Sequence, residues 1–277
     1  MGKLAIMSDL HVDINHLTER EWEILAELLI KAQITHFHLA GDTANKASKA
    51  LEVVEYFQDF FPTTFNWGNH EMVGLTEKEI NDFSHAAFLN LKTVSLTANL
   101  VLLGYNGWYD YGFASEKDPA KIIALKNLYW YDRNIIRSKN DPEVDAEQLH
   151  QLKQCLLQLQ SENKTVILAT HFVPKKAFIV EQKNPKWLRW NQLNAFLGSK
   201  ALGELLDEFS NISHVVFGHT HRHFPRQQIN QTSYHCQPFG YFFEWQLTRD
   251  FVLKNQLVQQ VNPMKLRGVL KRNQVAF

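Results

Sequence analysis

The sequence predicts an α/β fold centred on a parallel sheet, and three observations carry that prediction. Apolar strand and helical pattern alternate three times between Lys3 and Trp67. Each of those strands ends in a polar or glycine-containing loop, as βαβ units do. The composition, 45% apolar over 277 residues with 12 Gly and 8 Pro, is that of an ordinary globular chain with enough material for a large core.

In order, Lys3 to Met7 is a short apolar strand followed by Ser8-Asp9-Leu10-His11. From Leu17 to Lys31, the positions Leu17, Trp22, Leu25, Leu28 and Leu29 recur at helical spacing. Ile34 to Ala40 is the second strand, closed by Gly41-Asp42, and Lys46 to Phe60 the next helix. Pro62 to Trp67 is the third strand, ending at Gly68-Asn69-His70-Glu71. Connections of this kind are right-handed and place helices on the sheet faces. Thr93 to Leu96 and Leu100 to Gly104 read as a hairpin around Thr97-Ala98-Asn99.

The pattern then turns irregular and aromatic, with Tyr105, Trp108, Tyr109, Tyr111 and Phe113 close together. Residues 105–140 read as an insertion or lid, carrying a helix from Pro119 to about Tyr131. Asp141 to Gln160 is a firmer helix, with Leu149, Leu152, Leu156 and Leu159 on one face. Thr165 to Ala169 is a buried-type strand ending at Thr170-His171, and Asn191 to Phe209 has a helical pattern. Ser213 to Phe217 feeds Gly218-His219-Thr220-His221, while Gln227 to Gln237 and Tyr241 to Leu247 read as paired strands. The second half therefore adds a sheet of its own. Residues 249–277 form a tail with Lys265, Arg267, Lys271 and Arg272, a solvated or domain-packing segment before it is a nucleic-acid contact. A single domain over residues 1–277 is expected, with no linker or repeat dividing it.

Lys plus Arg and Asp plus Glu are both 29, so no overall field draws the chain to nucleic acid or an anionic membrane. Cys155 and Cys236 make neither a disulfide framework nor a CxxC clip. The N-terminus lacks a signal-peptide pattern, and no apolar run approaches the roughly 18–20 residues of a membrane span. A cytoplasmic protein is the expectation.

Loops at the carboxyl ends of parallel strands gather along one edge, where ligands bind. Asp9, His11, Asp42, Asn69, His70, His171, His219 and His221 all fall at such ends. Two carboxylates, an amide and several imidazoles exceed the four ligands of a tetrahedral zinc but suit two five- or six-coordinate ions. With no cysteine in the set, its N/O character favours Mn, Fe or Zn. Such a pair is suited to phosphoester hydrolysis.

Asp9-x-His11, Gly41-Asp42, Gly68-Asn69-His70-Glu71, His171 and Gly218-His219-Thr220-His221 together resemble the calcineurin-like metallophosphoesterase family, in family order and over residues 1 to about 247. The resemblance implies two mixed β-sheets packed as a sandwich flanked by helices, with a dinuclear centre of divalent or trivalent transition-metal ions at the strand ends. It implies that Asp9, His11 and His221 hold one metal, that Asn69, His171 and His219 hold the other, and that Asp42 bridges them. His70 is then left to hydrogen-bond the phosphate or protonate the leaving alkoxide, with Glu71 placed to orient it. No other cofactor is implied.

His36 and His38 alternate on the second strand and read as structural, Asp13 as a turn or cap residue, and His223 as a loop histidine. Trp108, Tyr109 and Trp187 are candidates to stack on a base and Lys175, Lys176 and Arg189 to meet phosphate, with packing and solvation the competing account. The leading function is a dinuclear-metal phosphoesterase acting on a small-molecule phosphomonoester or phosphodiester. A nucleotide or cyclic-nucleotide phosphodiesterase or a nuclease is one alternative, the last weakened by the neutral charge. A scaffold that keeps the fold without catalysis is another. The ligand set encodes neither the native metal pair nor an oligomeric state.

Overall fold

Two sheets form the centre of the molecule in a computed structural model that describes residues 2–244 and 274–276. In the first sheet, β1 (Lys3–Met7), β2 (His36–Ala40) and β3 (Thr63–Asn66) are parallel. They are joined through α1 (Glu19–Lys31) and α2 (Ala47–Gln58); a short α3 (Glu77–Asp82) follows. The second sheet has β5 (Leu100–Tyr105), β6 (Thr165–Thr170), β7 (Ile212–Phe217) and β9 (Thr232–Cys236) parallel in that order. Antiparallel β4 (Lys92–Ser95) and β8 (Gln227–Ile229) close its two edges. Strand β10 (Gln274–Ala276) pairs antiparallel with β1 at the edge of the first sheet.

Strand alternation decides which side chains face which layer. Leu4, Ile6, Ala40, Leu102, Ile167, Ala169 and Val216 pack between the sheets. Ala5, Met7, Phe37 and Leu39 instead join the cluster containing Trp22, Leu25, Val53 and Phe57 of α1 and α2. On the far side, Leu168, Val215 and Phe217 pack with Leu152 and Leu156 of α5 (Asp141–Ser161) and Leu202 and Leu206 of α7 (Lys200–Asp207). This is the expected sandwich flanked by helices. His36 and His38 lie within it: Thr64 Oγ1 bonds His36 Nε2 and His38 Nδ1, and Asn66 Oδ1 bonds His38 Nε2. Burial drives their imidazoles down to about 4 and about 3, so both are neutral.

Three expectations are corrected. The helical pattern from Asn191 to Phe209 is broken into α6 (Arg189–Leu193), a 3-10 turn Asn194–Phe196 and α7. The break occurs because the 197–199 backbone pairs with Val173, through Val173 N to Leu197 O (2.9 Å) and Ser199 N to Val173 O (3.1 Å). Gln227 to Gln237 is itself the β8–β9 hairpin, reversing at Asn230 with φ +53°. Residues 241–244 form a turn instead of a partner strand, because Phe239 N and Gly240 N bond to Ser8 O and Asp9 O and Gly240 redirects the chain with φ +74°. The remainder of that expected strand, to Leu247, and the basic residues Lys265, Arg267, Lys271 and Arg272 lie outside the described residues.

The 105–140 insertion carries α4 (Pro119–Tyr129) and a 3-10 turn Tyr131–Asn134. Trp108 and Tyr109 are fully buried, and Trp108 donates from its indole to Asp141 Oδ1 at 2.9 Å. Neither is available to stack on a base. Among the described residues, no helix is long and apolar enough to cross a membrane.

Candidate metal centre

The loops after β1, β2, β3, β6 and β7 converge on one buried polar cluster. Asp9, His11, Asp42, His219 and His221 all have positive φ, between +42° and +67°. Among non-glycine residues this region is uncommon and costs about 1–3 kcal/mol per residue when surroundings impose it. Such concentrated strain turns side chains inward that an extended strand end would splay apart. Glycine makes the approach feasible: a Cβ on Gly68 would strike the Asp42 carboxylate, and one on Gly218 the Asp9 carboxylate.

The cluster divides into two sets that share Asp42. In one, His11 Nε2 and His221 Nε2 are 3.1 Å apart, Asp9 Oδ1 is 3.2 Å from His221 Nε2, and Asp42 Oδ2 is 3.6 Å from His11 Nε2. In the other, His171 Nε2 lies 3.0 Å from His219 Nδ1, 3.1 Å from Asn69 Oδ1 and 3.3 Å from Asp42 Oδ2. Asp9, His11, Asp42 and His221 can offer ligand atoms within 4.8 Å of one another, as can Asp42, His171 and His219.

Hydrogen bonds on the outer side of three of the rings assign their protons. His171 Nδ1 donates to Ala40 O (3.3 Å), His219 Nε2 to Phe196 O (3.1 Å) and His221 Nδ1 to Glu244 Oε2 (2.5 Å). The Asn69 amide nitrogen donates to Asp132 Oδ1 (2.6 Å), which turns its oxygen inward. Facing inward are therefore lone pairs on His171 Nε2, His219 Nδ1, His221 Nε2, Asn69 Oδ1 and two carboxylates. Lone pairs about 3 Å apart repel unless a proton or cation lies between them. Among the described residues no Lys or Arg pairs with Asp9 or Asp42. The donor set thus fits cations, with the opposite nitrogens of His171, His219 and His221 anchored as in metal-ligating histidines, while the buried His11 Nδ1 has no hydrogen-bond partner among the described residues.

Charge in the protein alone tells the same story. Burial opposes charge on every member, yet the His221 hydrogen bond holds Asp9 down to about 2, and the surrounding imidazoles, His171 first, hold Asp42 well below the carboxylate range. Burial likewise opposes protonating His171 and His221, but Asp42 lifts the first to about 9, and Asp9 with Glu244 lifts the second to about 10. Protons there neutralise what a bound cation would otherwise neutralise. Burial keeps His219 near 3 and His11 well below its ordinary value, so both remain neutral donors.

A sequence profile for calcineurin-like phosphoesterases matches residues 2–223. The chain belongs to that family. As a calcineurin-like phosphoesterase it is a metal-dependent phosphoester hydrolase. Its fold is similar to the crystal structure of a phosphopantetheinyl hydrolase from Mycobacterium tuberculosis, with TM-score 0.64 and 16% identity over 92% of this chain and 96% of the other. It is also similar to a dimetal phosphatase from Danio rerio, with TM-score 0.52 and 14% identity over 86% and 87%. No curated protein matches the chain.

The phosphoesterase site contains further residues that pattern reading assigned elsewhere or passed over. His70 sits beside the shared carboxylate, its Nε2 3.8 Å from Asp42 Oδ2. Glu71 does not orient His70: its carboxylate accepts the backbone N–H groups of Asp42, Thr43, Ala44 and Gly68 at 2.5–3.1 Å, tying two ligand loops together. Burial and then Asp42 push its carboxyl up to about 7, against the pull of those N–H donors. His70 is oriented instead by Asn45 Oδ1, 2.6 Å from its Nδ1, and by the Tyr241 hydroxyl, 3.2 Å from its Nε2. Tyr131 stacks on its ring at a 4.3 Å centroid distance. Asp13 ties the first loop to the second, bonding Ile14 N and Asn45 N. His223 Nε2 bonds Pro238 O at 2.8 Å, so the loop histidine anchors the turn that leads to Tyr241.

Proposed function

We propose that the chain hydrolyses a phosphomonoester or phosphodiester with two transition-metal ions, of the Mn, Fe or Zn type, held around Asp42. Asp9, His11 and His221 would hold one ion, Asn69, His171 and His219 the other, and Asp42 both. The carrying observation is that two sets of inward lone pairs share the Asp42 carboxylate, whose Oδ2 lies 3.6 Å from His11 Nε2 and 3.3 Å from His171 Nε2. Two such ions supply Lewis acidity and acidify water at neutral pH.

The chain's own groups do the rest. Glu71, whose carboxylate accepts from four backbone N–H groups, fixes the spacing of the Gly41-Asp42 and Gly68-Asn69 loops. Asn45 holds the His70 Nδ1 proton and so directs Nε2 toward the cluster. There, once Nε2 also carries a proton, it can hydrogen-bond the phosphoryl group or move that proton to the leaving oxygen. Tyr241 and Tyr131, against two sides of His70, restrict the ring and exclude water.

A small phosphoester is the expected substrate, and a phosphopantetheinyl compound, the group after which the structural neighbour is named, is one to include in a panel. The test is hydrolysis of bis(p-nitrophenyl) phosphate and p-nitrophenyl phosphate with added Mn²⁺, before and after chelation. Chelator-sensitive turnover is expected. Metal-loaded protein inert to every ester in a broad panel would sink the proposal and favour a scaffold.

A further inference from the structure

Six of the twelve large hydrophobic side chains exposed among the described residues gather on one rim: Leu128, Tyr129, Tyr131, Trp187, Leu188 and Trp190. They come from α4, the 3-10 turn after it, and residues 185–190, which pack against one another. Arg189 lies over the Tyr129 ring with its guanidinium carbon 4.5 Å from the centroid. The rim runs into the metal centre. Tyr131 stacks on His70, and the adjacent Trp130 lies edge-on to His219 at 6.1 Å.

Exposed apolar groups gathered in this way mark an interaction surface, whereas scattered ones do not. Trp187 is 52% exposed, Trp190 49% and Leu128 64%, and tryptophan, tyrosine and arginine are the residues enriched at protein interfaces. The charge on the rim has one sign. Lys183, Lys186 and Arg189 are exposed and have no acidic partner among the described residues. The nearby acids are already engaged, Glu181 with Lys176 at 3.0 Å and Glu116 with Lys121 at 3.9 Å. A single nucleic-acid strand would use the aromatics and cations but would leave Leu128 and Leu188 with nothing to stack on. Aliphatic, aromatic and cationic groups together match an acidic protein surface with an apolar stripe.

We infer that the rim docks an acidic protein segment with an apolar stripe, which presents the phosphoester to the metal centre. This rests on the phosphoesterase reading above and adds a macromolecular partner to it. The probe is a fluorescently labelled amphipathic peptide with glutamates on one edge and leucines on the other. Fluorescence anisotropy with the metal-loaded enzyme reads its binding. Arg189→Glu, and separately Trp187→Ala with Trp190→Ala, each weaken binding about tenfold or more. The same variants keep the wild-type thermal midpoint and metal content, which shows that they fold. Absence of binding, unchanged binding in both variants, or equally tight binding of a lysine-substituted peptide or oligothymidylate would overturn the inference. A wild type that binds the peptide but hydrolyses no ester would instead defeat the phosphoesterase reading.

Discussion

The two halves of the proposed metal centre are alike in donors and unlike in what supports them. The half built on Asp9, His11 and His221 leans on the turn at 241–244, where Glu244 holds His221 and the Tyr241 ring lies 4.5 Å from that of His11 and 4.3 Å from that of His221. The half built on Asn69, His171 and His219 leans inward, on buried Asp132 and on the Phe196 carbonyl. One is propped from a partly exposed turn, the other from the core. The difference predicts unequal consequences when props are removed, while the shared Asp42 should affect both halves alike.

The largest effect is therefore expected at Asp42. Asp42→Asn removes the carboxylate common to both sets, and metal content should fall at both positions with activity lower by about 1,000-fold. Loss of a single metal equivalent, measured by elemental analysis, would show that the halves are independent and Asp42 is not shared. Next in size are the props. Glu244→Ala and Asp132→Ala should each weaken one metal by about 10–100-fold, as removal of partners that orient ligands does. The Asp132 variant should also lose stability, because it leaves the buried Asn69 amide and the Trp130 indole without their acceptor. Equal loss of stability in the two variants would erase the distinction between a turn-propped and a core-propped half.

Much of the donor set could be read before any coordinates because it obeys a topological rule: parallel strands bring their carboxyl ends to one edge, so Asp9, Asp42, Asn69 and His171 meet despite their separation in sequence. The props obey no such rule. Glu244 and Tyr241 arrive through a turn set by Gly240 and by bonds to the Ser8 and Asp9 carbonyls, and nothing in a run that reads as strand announces that reversal. Asn45 follows Gly41-Asp42 closely enough for its spacing to have suggested a role. Its contact with His70 depends on how the second loop lies across the third. Glu71 was visible as an acid beside His70, but whether it bonds that ring or the backbone of another loop is a matter of side-chain direction.

His70 sharpens the comparison, since it belongs to neither half. His70→Ala should retain two metals while turnover falls about 100-fold or more for esters with poor leaving groups, and less for p-nitrophenyl esters. Asn45→Ala should reproduce that leaving-group dependence more weakly, because the ring remains and only its Nδ1 partner is lost. A metal site emptied by His70→Ala would assign the ring to one half after all.

The smallest effect probes how deep the core-side support extends. Behind His171, the Val173 backbone is held by residues 197–199, and Ser199 donates its hydroxyl to Asp145 Oδ2 at 2.8 Å. Asp145 is buried, and its Oδ1 has no hydrogen-bond partner among the described residues. Burial raises its carboxyl to about 7, with the Ser199 bond pulling the other way, whereas the unfolded chain titrates near the usual value of about 4. Between those values the folded protein holds a proton that the unfolded chain has released, so stability falls as pH rises through that window, by an amount on the order of a few kcal/mol. Above it the full penalty persists. Asp145→Asn removes the ionisation while keeping an acceptor for Ser199, so thermal midpoints at pH 5 and pH 8 should draw together, with the variant gaining most at pH 8. An unchanged slope of midpoint against pH would show that Asp145 carries no such penalty and that the layer behind His171 is held by the Val173 backbone alone.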